Sequence, residues 1–309
     1  MLEPRWSKPS PGDVVPLPLI PPFADCAELH ACDLTTLAHA LGALDGVSQS
    51  LAAQRAPLPI EQALAGYLVA DAGARAELVA ATDSPLRRHA PKGQRGLADM
   101  AARSTFDTAV SALPISPVMR LDIEGLTAIA RRVSRVPSLQ LRTGDVRTAR
   151  DARGVALQYP PAGAATARVA SICGTYTACH GDQALLRSVW VLVALLNAHP
   201  FPDGNGRLAR LLFAGALARA GITHAPIVAI GPLVHASEGG FEIAVKRVVV
   251  QRRWQPLIDL LRFYACFLAR HLPDVAASSG GGARIVEDRS RTESNYQRDT
   301  GDRYAKSDR

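Results

Sequence analysis

From Asp182 to Asn197 the sequence is apolar on nearly every face that a helix would present. A helix of that kind is stable only where it is surrounded, so it belongs at the centre of a fold. A second helical stretch, Arg207 to Ala220, follows after a short polar interval and is stopped by Gly221. Two core helices joined by a polar loop leave the rest of the chain to cover them. The fold class expected is all-α, mainly helical.

The flanking segments fit that role. "DLTTLAHALGALDG" places Leu34, Leu37, Leu41 and Leu44 on one helical stripe, with Asp33 positioned as its cap. A further helix is predicted from Ile60 to about Ala81, residues 83 to 97 read as a loop, and "SPVMRLDIEGLTAIARRV" restarts a helix with Ser116 as cap and Pro117 in its first turn. Between Leu139 and Pro161 the pattern changes to short alternating segments around Gly and Asp turns, which predicts one small β-hairpin. A last helix carries Trp254, Leu260, Phe263 and Phe267 and is expected to end near His271. Four segments result: a proline-rich extended arm (1–22), a helical extension (23–105), a main helical domain (106–272) and a polar, glycine-containing tail (273–309) expected to be disordered.

Composition removes several classes of function. The 309 residues are 48% hydrophobic, enough for a normal core, yet no apolar run approaches the roughly eighteen residues of a membrane span. Charges at Glu3, Arg5 and Lys8 and seven prolines among the first 22 residues leave no apolar signal-peptide core. Five scattered cysteines, an odd number, fit a reducing cytoplasm better than a disulfide framework, and their spacing is not that of a zinc site. A net charge of +7 suits phosphate-bearing partners, but no basic–aromatic run or reading motif points to nucleic acid.

The loop "NAHPFPDGNGRLAR" concentrates chemistry that a mere connection does not need. Backbone amides at the start of the second helix bind anions, and Gly204 and Gly206 let a polyphosphate approach closely. Arg207 and Arg210, three apart, project from nearly one helix face as planar phosphate forks. Asp203 is a hard oxygen ligand suited to a magnesium–phosphate complex. His199 is the side chain here with a near-neutral proton affinity, fit to act as general base. Together they describe a site for transfer of a nucleotide phosphate.

The loop resembles the signature of the Fic family, HPFxDGNGRxxR, at every specified position. "TGDVR" with "ALQYPP" resembles the family's flap hairpin, "ALGALDG" its amino-terminal helical extension, and Trp254 sits where the last helix often carries a tryptophan. The likeness runs over roughly 17–272 and is densest from 142 to 220. It implies a protein adenylyltransferase that moves AMP from ATP to a Ser, Thr or Tyr hydroxyl of a target protein. His199 would be the base, Phe201 a loop anchor and Asp203 the magnesium ligand. Gly204, Asn205 and Gly206 would form the anion hole, Arg207 and Arg210 would hold the polyphosphate, and the hairpin near 144–159 would dock the target by strand addition. Two alternatives stay open: the same fold moving another phosphate-linked group or removing AMP, and a silent regulatory binding module. Monomer and homo-oligomer are equally open.

Members with such an extension often carry S/T-x-x-x-E-G/N, whose glutamate sits on the second signature arginine. Counting from "LDG", Glu77 in "GARAELVA" takes the glutamate's place, with Gly73 and Leu78 at the other positions. Glu124 in "RLDIEG" has the acid and the glycine but Arg120 at the Ser/Thr position. Glu77 is therefore the candidate autoinhibitory residue, and the alternative reading, a surface glutamate on an alanine-rich helix, stays open.

Overall fold

The computed structural model describes residues 12–53, 59–82, 91–116, 118–148 and 155–281. In chain order the elements are β1 (Val14–Pro16), α1 (Ala27–His30), α2 (Thr35–Ala52), α3 (Ile60–Ala70), α4 (Ala72–Ala80), α5 (Pro91–Ala102), α6 (Phe106–Ala109) and α7 (Ile123–Ser134). There follow β2 (Ala156–Gln158), α8 (Ala162–Thr177), α9 (Ala184–Ala198), α10 (Asn205–Arg219), α11 (Gly231–Ala236), α12 (Gly240–Gln251) and α13 (Gln255–Gly281). The mainly helical architecture is the one expected.

Helices α9 and α10 form the antiparallel centre. Trp190, Leu192, Leu195, Leu208, Leu211, Leu212 and Leu217 are all fully buried, and each such side chain stabilises the fold by about 1.5–3 kcal/mol relative to exposure. Helix α8 covers α9, α7 covers α10, and α2 lies along α13. One hydrophobic cluster runs from Ile20 through Val275, so the extension and the main domain share a single core.

Several boundaries differ from the sequence reading. The expected helix from Ile60 to Ala81 is two helices, because Asp71 is extended (φ −99°, ψ 102°) and its carboxylate caps α4 at the Ala74 N–H, 2.9 Å away. The predicted loop at 83–97 overlaps α5. Its glycines read as punctuation, but Gly96 is there for close packing: a Cβ at that position would lie 2.5 Å from Nδ1 of His235. Helix α7 starts at Ile123, where Asp122 accepts from the Gly125 N–H at 2.7 Å. Ser116 does not cap it, and Pro117 lies outside the described residues. Helix α13 passes His271 and Pro273 because Val275 and Ala276 are buried in the next turn; the remaining tail, 282–309, lies outside the described residues, as do 1–11 of the arm.

The expected hairpin is present at its base and gains a strand. β2 pairs antiparallel with the segment around Arg147, through Thr148 N–H to the Leu157 carbonyl (2.8 Å) and Tyr159 N–H to the Val146 carbonyl (3.0 Å). Its other edge pairs in parallel with β1, from the proline-rich arm, in the register Val14↔Ala156 and Pro16↔Gln158. Pro16 is tolerated because β1 is an edge strand. Residues 149–154 lie outside the described residues. The arm is then clamped to the core. Asn197, at the end of α9, accepts from Ile20 N–H (2.9 Å) and donates to the Pro18 carbonyl (3.0 Å), while Trp190 Nε1 donates to the Pro21 carbonyl (3.1 Å).

Candidate active site

Helix α9 ends when His199 adopts the left-handed conformation (φ 49°, ψ 55°) with its N–H on the Leu195 carbonyl at 3.0 Å. A non-glycine residue held there costs about 1–3 kcal/mol, so the surroundings must enforce it. The loop that follows is closed from within. Phe201 is fully buried; its N–H donates to Asn205 Oδ1 (3.0 Å), and Asn205 Nδ2 donates back to the Phe201 carbonyl (2.7 Å). The Asn205 side chain thus fastens the loop, and what it presents to an anion is its backbone N–H. Gly204 precedes α10 at φ 81°, and a Cβ there would lie 3.1 Å from that of Ser134. No side chain caps α10, which leaves its first amides free for an anion.

The two arginines of the loop are in different states. Arg207 reaches back to Asp203 at 3.0 Å on the surface. Arg210 is buried, its Nε has no hydrogen-bond partner, and no carboxylate among the described residues lies within ion-pair distance of it. Burial pushes its proton affinity down, opposed by the more distant charges of Glu61 and Glu242. A buried guanidinium with an unused donor is poorly satisfied alone and well suited to a phosphate. Gly206 gives it room, since a Cβ there would lie 3.2 Å from its Nη1.

His199 is held on two sides. The ring of Tyr159 stacks on the imidazole, centroids 3.9 Å apart, and Arg142 Nε donates to the His199 carbonyl at 2.7 Å. The imidazole pKa is pushed down to about 4 chiefly by burial; the Leu196 carbonyl opposes the shift, the Arg142 charge adds a smaller push down, and Asp203 opposes it more weakly still. Nδ1 is buried beside the Leu196 carbonyl, in a geometry too poor for a well-formed hydrogen bond. The ring is therefore neutral near pH 7, the form in which it accepts a proton.

The structure brings His199, Asp203, Gly204, Asn205, Gly206, Arg207 and Arg210 together on one loop and helix start, and it places Glu77 elsewhere. Glu77 pairs with Arg270 and, at 3.2 Å, with Nε2 of His271, both on α13. The break at Asp71 sets α4 apart from α3, and the expected contact of Glu77 with Arg210 is not formed. The acid that acts on Arg210 from the extension is Glu61. It is buried; its Oε2 accepts from Ser104 Oγ at 2.8 Å and from Phe106 N–H at 3.4 Å, and burial raises its pKa while Arg210 opposes the rise. Its signal was present in the sequence: Glu61 shares the helix face of Leu64, Ala65 and Leu68, all fully buried, and a carboxylate on an apolar stripe needs a reason. Arg142 and Tyr159, also missed, lie outside the loop.

No cluster of three or more His, Cys, Asp or Glu that could hold a metal ion gathers among the described residues; Asp203 is the one carboxylate within the loop. No helix among them is long and apolar enough to cross a membrane.

Residues 120–217 match the model of the Fic/DOC family. That segment contains α7, the flap strand β2, α8, α9, the loop and most of α10. No curated protein matches the chain. Among solved structures, a Fic family protein from Desulfovibrio desulfuricans G20 is similar over 85% of this chain and 77% of its own, at 17% identity and a TM-score of 0.49. A segment of Fic-1 from C. elegans is similar over 77% of this chain and 72% of its own, at 15% identity and a TM-score of 0.43.

Proposed function

We propose that this chain, which belongs to the Fic/DOC family, transfers AMP from ATP to a Ser, Thr or Tyr hydroxyl of a target protein. The observation that carries the reading is the pairing of a neutral, stacked imidazole with a buried and unpaired guanidinium across an uncapped helix start. Arg210 and the first amides of α10 hold the triphosphate. Arg207 joins them when Asp203 releases it.

The target oxygen forms a bond to the α-phosphorus as the bond to the bridging oxygen breaks, pyrophosphate leaves, and the hydroxyl proton passes to His199. The imidazolium so formed is unfavourable in the free protein, where burial depresses its pKa. Several negative charges of bound triphosphate nearby raise it, so the base gains strength when its substrate is in place. Positioning and charge neutralisation contribute most of the rate. Asp203 is the residue that would hold magnesium together with phosphate oxygens, and the ion would neutralise charge on the polyphosphate. A single exposed carboxylate fits that cation, which takes most of its ligands from phosphate and water.

Glu61, rather than Glu77, is the acid placed to restrain the site. Its charge acts on Arg210 through the interior without pairing with it, and offsets part of the guanidinium's attraction for phosphate. The target meets a flap in which β2 is already paired on both edges, so strand addition falls to the outer edge of the segment around Arg147. Incubating the purified chain with ATP, magnesium and a cell lysate, then sequencing modified peptides by mass spectrometry, tests the reaction. Adenylyl groups on hydroxyl side chains are expected. Phosphoryl groups alone would favour the transfer of another group.

A further inference from the structure

Arg142 is a buried arginine; the charge of Asp145 acts on it, but no carboxylate among the described residues is in ion-pair contact with it. Its guanidinium is spent on backbone carbonyls from two sides. Nε donates to His199 at 2.7 Å and Nη2 to Ala198 at 3.3 Å, both in the signature loop; Nη1 donates to Gly144 at 2.8 Å and Nη2 also to Pro160, the two ends of the flap. Its own N–H donates to the Pro200 carbonyl at 2.9 Å. Desolvating a guanidinium is costly, and an apolar side chain would fill the same space. What an apolar residue lacks is a rigid planar fork able to set four carbonyls from two segments in one frame. The site also lies at the carbonyl end of α9, where positive charge is favoured.

The connection reaches the base by two routes. One is direct, through the carbonyl of His199. The other passes through Pro160, whose neighbour Tyr159 lies on the imidazole face. We infer that Arg142 is a positioning residue that fixes the target-docking flap in register with His199, so that a hydroxyl carried on the flap arrives at the base. The inference rests on the transfer reaction proposed above.

Two variants test it. Arg142→Lys keeps the charge and loses the fork; Arg142→Gln loses both. Nucleotide affinity is expected to stay within about twofold of wild type in each, because Arg142 touches no group assigned to phosphate. Target turnover should fall about a hundredfold in Arg142→Gln, the order of loss that follows misplacement of reacting groups by about 1 Å, and less in Arg142→Lys. Tyr159 stacks on the His199 ring, and the charges that act on it are those of Arg142 and Asp203. Followed by NMR, the ring should titrate near 4 in wild type, close to that in Arg142→Lys, and at higher pH in Arg142→Gln.

Wild-type turnover in Arg142→Gln, or parallel losses of turnover and nucleotide affinity with His199 titrating as before, would overturn the assignment. Should Arg142→Gln fail to fold, Arg142→Lys decides. Reduced turnover with faster amide exchange at Thr148 and Tyr159 supports the role, and unchanged turnover with unchanged exchange refutes it. If the wild-type protein transfers no nucleotide, the reaction itself is misread. The His199 titration and the Thr148 and Tyr159 exchange rates then decide alone whether Arg142 couples flap to loop.

Discussion

The phenol of Tyr159 lies flat on the imidazole of His199, with ring planes within 19° of parallel. The contact joins the flap to the base and opposes rotation of a ring whose backbone is already in an uncommon conformation. An aromatic pair of this kind contributes about 0.5–1.5 kcal/mol beyond its buried area. Tyr159→Ala should therefore lower target turnover about tenfold with little change in nucleotide affinity, whereas Tyr159→Phe should retain most activity. Steady-state kinetics of both variants check this; equal losses in the two would assign the effect to the hydroxyl instead.

Two histidines should make stability depend on pH. His199 and His235 are both depressed to about 4 by burial, with added repulsion from Arg142 and from Arg210 respectively, and with Asp203 and Asp99 opposing. The fold prefers the neutral rings. Their contribution is complete above the unfolded value of about 6.5 and is lost as pH falls from there through 4. Glu61, raised by burial, works in the opposite sense in the carboxylate range. Thermal midpoints should hold steady above pH 7 and decline between 6.5 and 4, with a shallower slope in His235→Gln. A flat profile in wild type would refute the neutral-ring assignment.

Asn197 ties the arm to the core through both halves of its amide. Asn197→Ala would leave the Ile20 N–H and the Pro18 carbonyl without that partner, at a cost of about 1–3 kcal/mol for each group that stays buried. Urea denaturation should show a loss of that order, and exchange of the Leu17 N–H, which is bonded to Gln158, should quicken. Unchanged stability would mean that water replaces the amide without loss.

How much could be read in advance depends on how far apart the partners lie along the chain. The base, the acid, the glycines and both arginines fall within residues 199–210, so their chemistry is visible as one string. The helices α9 and α10 announce themselves by apolar density. Arg142 is 57 residues from His199, and Glu61 reaches the site only because α3 packs near α11 and α5. The β1–β2 pairing joins residues in the arm to residues in the flap. Contacts of that range leave no local period. The Gly96 helix was misread for a related reason, since a glycine selected for close packing looks like a glycine in a turn.

Glu61 and Glu77 should behave oppositely. Glu61→Gln removes the negative charge opposing phosphate at Arg210 while keeping an acceptor for Ser104. Labelling should rise severalfold. Glu77→Gly should leave labelling unchanged and slightly weaken the contact with Arg270 and His271. A rise with Glu77→Gly and none with Glu61→Gln would return the restraint to α4.

Asp203→Ala should raise the magnesium concentration needed for half-maximal labelling by about tenfold or more, given loss of a charged oxygen ligand. The same magnesium dependence in wild type and variant would remove Asp203 from the metal.

The most direct measurement compares ATP labelled at the α-phosphate with ATP labelled at the γ-phosphate, using wild-type protein and His199→Ala. Transfer by the proposed chemistry puts α-label, and no γ-label, on protein hydroxyls. It should fall a hundredfold or more in His199→Ala, the contribution typical of a general base, while nucleotide binding persists. Covalent label from the γ-position, or α-label at wild-type rate in His199→Ala, would contradict it.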